Sequence, residues 1–268
     1  MKQHKKVIAG IVLGAGAAVL AGFAITGWQV GWGPFAKLHD VKMAGLPGNA
    51  ARYAPENVEK AANSALTGKH LIFLGSSVTY GSAAKGVSFA DYIAVRNGCT
   101  ITKEAVSGTT LVDSGIGSYI SRLKKLDTGM TADLFLCQLS TNDASQEKPL
   151  GNISESFDCE AFDTSTVAEA IEYIIAYARQ TWSCPVLFYT NPRYGSEQYA
   201  AMVNLIAEIA DKWDIGVIDL WNDSAFNSIT EEQRALYMAD SIHPSQAGYL
   251  EWWTPYMEEI LIKAVQEI

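Results

Sequence analysis

Basic residues are in the minority in this chain, with 20 Lys and Arg against 29 Asp and Glu in 268 residues, for a net charge of −9. Nucleic acid is therefore not an expected partner, because binding it takes a basic face. Cysteine is sparse and scattered: Cys99, Cys137, Cys159 and Cys184 lie too far apart for a zinc or CxxC pattern. No repeat or low-complexity tract is present, which disfavours a structural array. No long apolar loop announces a lipid-binding lid. The G-x-S-x-G of the usual nucleophile elbow is also missing. Histidine is limited to four positions, of which His4, His39 and His70 precede or open the first apolar strand pattern. Only His243 is placed to act as a base.

One long uncharged run is present. Val7–Val30 carries no charge in 24 residues and follows Lys2, Lys5 and Lys6. About 20 apolar residues suffice to cross a bilayer as a helix. Two readings fit residues 1–30: an uncleaved anchor, which the length favours, or a cleaved secretory signal, for which Ala15-Gly16-Ala17 is a small-residue triplet. Either way the lysines are expected to stay cytoplasmic and the rest to be exported, anchored at the cell membrane or secreted. Removing residues 1–30 takes away three lysines and no acid, leaving 17 basic and 29 acidic residues, net −12. Residues 31–50 read as a glycine-rich tether, and residues 51–268 as one domain.

Within that domain, helical and apolar runs alternate. Helices are expected at Pro55–Leu66, Phe89–Arg96, Tyr119–Leu126, Thr166–Thr181, Glu197–Trp213 and Gln246–Val265. Strands are expected at His70–Leu74, Thr100–Val106, Leu134–Leu139, Val186–Thr190 and Gly216–Leu220. Several strands are apolar on both faces, which implies a parallel sheet covered by helices on both sides: a three-layer α/β fold with five strands. Ligands bind such sheets outside the carboxyl ends of the strands.

The chemistry-bearing residues fall at those ends. Gly75-Ser76-Ser77 follows the first strand, and either serine reads as a nucleophile or as a helix cap. A helix starting there would direct backbone N–H groups at a developing oxyanion. Gly108 follows the second strand and Asn142 the third, each of which also suits an ordinary turn. Asp240 stands three residues before His243, where it can fold back and hold the imidazole, and Ser245 suits an N-cap for the last helix. Tyr80, Asn191, Arg193, Tyr194 and Trp221 lie in site-side loops and could line a sugar subsite, or serve as the rim of the core.

Taken together, these segments resemble the SGNH/GDSL hydrolase family, whose four sequence blocks appear in order over about residues 68–265. The resemblance implies a flavodoxin-like strand order 2-1-3-4-5. It makes Ser77 the nucleophile, Asp240 and His243 the acid and base, and Ser77, Gly108 and Asn142 the oxyanion donors. Ser76 replaces the aspartate of many members, and Ser140 replaces the glycine of the G-x-N-D pattern, where it bears on the turn that aims Asn142. The implied topology separates the four cysteines, so free thiols are expected. The implied activity is ester hydrolysis through an acyl-enzyme with no metal or cofactor, on an acylated small-molecule or polysaccharide substrate. An exported, anchored acidic domain suits O-acetyl groups on dietary or cell-wall polysaccharide. Lipase or thioesterase activity ranks second. A membrane-tethered glycan-binding protein without turnover is the rival of another class.

Overall fold

The computed structural model describes residues 36–267, together with Leu20 and Gly22. The chain divides into two units: Met1–Leu46, which includes a helix at Ala36–Ala44, and a compact unit from Pro47 onward. The apolar run Val7–Val30 lies outside the described residues apart from Leu20 and Gly22. Among the described residues, no helix is long and apolar enough to cross a membrane.

The compact unit is built on five parallel strands in the order β2-β1-β3-β4-β5: β1 His70–Gly75, β2 Thr100–Ala105, β3 Leu134–Gln138, β4 Val186–Tyr189 and β5 Gly216–Ile218. Successive side chains on a strand point to opposite faces, and here both faces are filled. Ile72, Leu74, Phe135, Cys137, Val186 and Phe188 pack against helices Tyr119–Leu123, Val167–Trp182 and Glu197–Trp213. Leu71, Phe73, Leu134, Leu136, Leu187 and Tyr189 pack against helices Phe89–Asn97 and Thr254–Gln266. Burying each such Leu, Ile or Phe contributes about 1.5–3 kcal/mol, which is why the inner strands read as unbroken apolar runs. The register aligns Gly75 with Ala105 and Tyr189 with Ile218, so the strands end along a common edge. All four cysteines are buried free thiols.

Two expectations are corrected, and the expected last helix is present with a local widening. The segment Pro55–Leu66 is not a helix: only Pro55–Asn57 forms one 3-10 turn. Asn63 has a left-handed φ of 59°, and the Ala61 N–H donates to Arg96 O instead of to its own preceding turn. The last helix opens as a wide π turn at Gly248–Trp253 before continuing as Thr254–Gln266. Pro255 sits in the first turn of that α-helix and has no N–H for the preceding turn, which a wider helical turn accommodates. The end of the tether is also structured. Pro47–Asn49 is a 3-10 turn, and the Asn49 amide donates to Ala83 O (2.7 Å) while its Oδ1 accepts from Gln246 N (2.8 Å).

Candidate active site

At the end of β1 the chain turns within one residue. Gly75 is required by close approach: a Cβ there would collide with the Thr79 side chain and sit 2.9 Å from Gln138 Oε1. Ser77 then opens a single helical turn, Ser77–Tyr80, closed by Gly81 at φ 84°. Neither serine is a cap. Ser76 is fully buried and makes no capping bond through its side chain, whereas Ser77 Oγ lies 2.8 Å from His243 Nε2. The turn is held from below by Gln138 Oε1, which accepts from the N–H groups of Ser76 (2.9 Å) and Thr79 (3.2 Å) and from Thr79 Oγ1 (2.8 Å).

The loop carrying His243 is a tight reversal before the last helix. Ser245 N donates to Tyr237 O and Ala239 N to His243 O, closing it. Ser245 Oγ donates to Leu236 O and accepts from Gly248 N, three residues on, as the expected N-cap would. Inside the loop, Asp240 folds back on the histidine. The His243 Nδ1 lies 2.8 Å from Asp240 Oδ2 and 3.0 Å from Oδ1, and Oδ1 also accepts from the backbone N–H of Ile242 and His243, both at 2.8 Å. Partial burial would raise the Asp240 pKa, but the imidazole and the two backbone N–H groups outweigh it and hold the carboxyl down at about 2. Asp240 is therefore a carboxylate throughout the neutral range, hydrogen-bonded to the imidazole whose other nitrogen faces the serine.

Gly108 and Asn142 follow β2 and β3, the two strands that flank β1. Gly108 is exposed, has φ 81°, and leaves open space where a Cβ would be. The Asn142 Nδ2 donates to Thr109 O (2.9 Å), which ties its amide to the Gly108 turn and leaves its second proton free of that bond. Ser140 is no obstacle. Its φ of −73° and ψ of 125° need no glycine, and its hydroxyl caps helix Thr141–Ser145 by accepting from Asn142 N and Asp143 N. The fully buried Asp143 carboxylate accepts from Leu111 N and Val112 N, fixing the loop beyond Gly108, and burial pushes its pKa up.

The five candidate subsite residues are spread more widely. Tyr80 is exposed, with the Lys103 ammonium 5.9 Å from its ring centre. Asn191 is buried and its Nδ2 donates to Ile242 O (3.3 Å), so it supports the histidine loop from behind. Arg193 is exposed, donates to Asn222 Oδ1 and lies over Trp221. Trp221 itself is 7% exposed and packed against Tyr194 and Tyr199, which leaves its ring in the core with little surface for a ligand. Gln138 and Asp143 escaped the sequence reading. Their signals were an amide inside an otherwise apolar strand and an acid beside Asn142. Among the described residues, no cluster of three or more His, Cys, Asp or Glu is arranged to hold a metal ion.

A family model for GDSL-like lipases and acylhydrolases matches residues 73–250, which runs from within β1 through Ser77, Gly108 and Asn142 to beyond the Asp240–His243 pair. The chain belongs to this GDSL-like family. Solved structures agree on the fold. A protein of Lactobacillus plantarum is 22% identical with a TM-score of 0.60, covering 74% of this chain and 98% of its own. A protein described as a GDSL-like lipase from Bacteroides ovatus is 19% identical with a TM-score of 0.55, covering 74% and 99%. A family two carbohydrate esterase from Clostridium thermocellum, solved with cellohexaose, is 16% identical with a TM-score of 0.50, covering 72% and 64%. No curated protein gives a significant match. The strand order 2-1-3-4-5 is the one expected from the family resemblance.

Proposed function

We propose that this GDSL-family protein is an exported serine esterase that removes small acyl groups, chiefly O-acetyl, from carbohydrate. The observation that carries the reading is the unbroken line from Asp240 through His243 to Ser77, with 2.8 Å at each junction. In the proposed reaction, His243 Nε2 takes the proton of Ser77 Oγ as the oxygen attacks the ester carbonyl. Asp240 keeps Nδ1 protonated and stabilises the imidazolium. The N–H groups of Ser77 and Gly108 and the amide of Asn142 receive the oxyanion; one such donor is worth about 3 kcal/mol in the transition state. The imidazolium then gives its proton to the leaving alcohol, and His243 activates water to release the acid and restore Ser77.

Carbohydrate as the acyl carrier is supported by the esterase neighbour solved with cellohexaose. Export follows from reading residues 1–30 as an anchor or signal, which also gives the membrane link. The GDSL-like lipases among the structural neighbours favour the second reading, longer acyl chains.

Ser77→Ala should abolish release of p-nitrophenol from p-nitrophenyl acetate, and a fluorophosphonate probe should label the wild type at Ser77 and not the variant. Unchanged turnover in Ser77→Ala would remove the assignment, and a wild type inert to both reagents would leave a binding protein. An ester series from acetyl to octanoyl, alongside acetylated xylan, separates the two substrate readings.

A further inference from the structure

Arg122 lies outside every motif described above, in the short helix Tyr119–Leu123, and is only 6% exposed. A guanidinium presents five N–H donors in one rigid plane, and here all five have acceptors. Nε donates to Gly117 O (3.0 Å). Nη1 donates to Glu104 O (2.9 Å) and Glu104 Oε1 (3.2 Å), and Nη2 to Gly75 O (2.8 Å) and Thr109 Oγ1 (2.9 Å).

The two Nη2 contacts reach both backbone segments that would hold the oxyanion. Gly75 O belongs to the same rigid peptide plane as Ser76 N, and Ser76 N is itself held by Gln138 Oε1 at 2.9 Å. That plane, immediately before Ser77, is clamped at its oxygen by Arg122 and at its nitrogen by Gln138. On the other side, Thr109 Oγ1 accepts from Arg122 and donates to Val106 O (2.7 Å), closing the turn in which Gly108 takes its left-handed φ. One planar group thus sets the distance and angle between the end of β1 and the turn after β2.

We propose that Arg122 is a positioning residue that keeps the N–H groups of Ser77 and Gly108 aimed at one point, so that both donate to the oxyanion in the transition state. This rests on the esterase reading. The guanidinium never touches substrate. Its contribution is to the aim of donors that matter only as charge develops, so its loss should lower kcat and leave KM nearly unchanged.

The test compares wild type, Ser77→Ala, Arg122→Lys and Thr109→Val on p-nitrophenyl acetate, with melting temperature and inhibition by phenylboronic acid, whose tetrahedral adduct occupies the oxyanion position. Arg122→Lys keeps the charge and loses the fork, and is expected to lower kcat about 10- to 100-fold, since misplacing reacting groups by about 1 Å costs about 100-fold. KM should move less than about threefold, while the boronate weakens in parallel with kcat. Thr109→Val removes the Nη2 link to the Gly108 turn together with the Oγ1 bond to Val106 O, leaves the other four guanidinium bonds in place, and should show the same pattern at about 3- to 10-fold. An Arg122→Lys enzyme with wild-type kcat overturns the proposal, as does a loss of kcat that leaves boronate affinity intact. If Arg122→Lys does not fold, Thr109→Val decides, and wild-type kcat with wild-type boronate affinity in that variant overturns it. Turnover surviving in Ser77→Ala removes the esterase reading itself, whereas an inactive Ser77→Ala beside an unaffected Arg122→Lys removes only the role of Arg122.

Discussion

Asp240 Oδ1 accepts from the backbone N–H of His243 at 2.8 Å and lies 3.0 Å from the ring nitrogen of the same residue. One oxygen therefore fixes both where the histidine sits in the chain and how its ring turns. The second oxygen, 2.8 Å from Nδ1, completes the hold. Asp240→Asn preserves the shape but replaces one oxygen with an N–H donor that opposes the protonated Nδ1. The expected result is a fall in kcat of about 10⁴-fold with an unchanged circular dichroism spectrum, by analogy with other serine-histidine-acid sites. Asp240→Ala should lose at least as much and also lower the melting temperature, because the Ile242 and His243 N–H groups lose their acceptor.

The same carboxylate gives the fold an acid dependence. Its pKa in the folded protein is held at about 2, below the ordinary 3.8. A depressed carboxyl contributes stability that is fully present above the unfolded value and is lost as pH falls through the folded one. Melting temperatures of wild type and Asp240→Asn should therefore differ by a constant amount above about pH 5 and converge between about pH 4 and 2. The buried Asp143, pushed the other way, contributes with opposite sign: its ionisation in the fold is disfavoured, so its contribution falls as pH rises from the ordinary carboxyl value.

Two glycines should respond differently to alanine. Gly108→Ala meets open space but must keep a left-handed φ, which costs about 1–2 kcal/mol. That variant should fold, melt slightly earlier, and lose more in kcat than in KM. Gly75→Ala meets the Thr79 side chain and Gln138 Oε1 beneath the nucleophile turn. It should be destabilised more than Gly108→Ala and lose fluorophosphonate labelling, read by thermal melting and in-gel fluorescence.

Away from the site, the fully buried Glu172 is paired with Lys212 and accepts from Trp213 Nε1 and Ser154 N. Lys212 also donates to Ser154 O and Ser156 O, pinning the loop before Val167–Trp182. Lys212→Met leaves a buried uncompensated carboxylate and should cost about 3–5 kcal/mol, whereas Glu172→Leu with Lys212→Met should recover part of that loss, the remainder being Trp213 Nε1 and Ser154 N left without their acceptor. Urea unfolding of both variants checks it.

What was legible in the sequence follows from how far each signal reaches along the chain. The strands were readable because Leu71–Leu74 and Leu134–Cys137 are apolar at every position, which a sheet covered on both faces demands. The Asp240–His243 pairing was readable because its partners are three residues apart. Gln138 and Arg122 were not, because their acceptors and donors are backbone atoms 62 and 47 residues away at Ser76 and Gly75. An arginine in YISRL reads as a solvated helix residue until the fold places Gly75 above it. The segment Pro55–Leu66 misled for the converse reason: its helical spacing is overridden by a backbone bond to Arg96 O that no local pattern announces.

Asn49 has a practical bearing on how this protein can be cut. Its amide joins the segment after the nucleophile turn, at Ala83, to Gln246, three residues past His243. A fragment started at Ala51, where the glycine-rich tether ends by composition, would lack this side-chain bridge between the two loops. Its turnover would then report the missing clasp as well as the chemistry. A fragment that retains Pro47 keeps the bridge and begins where the compact unit begins.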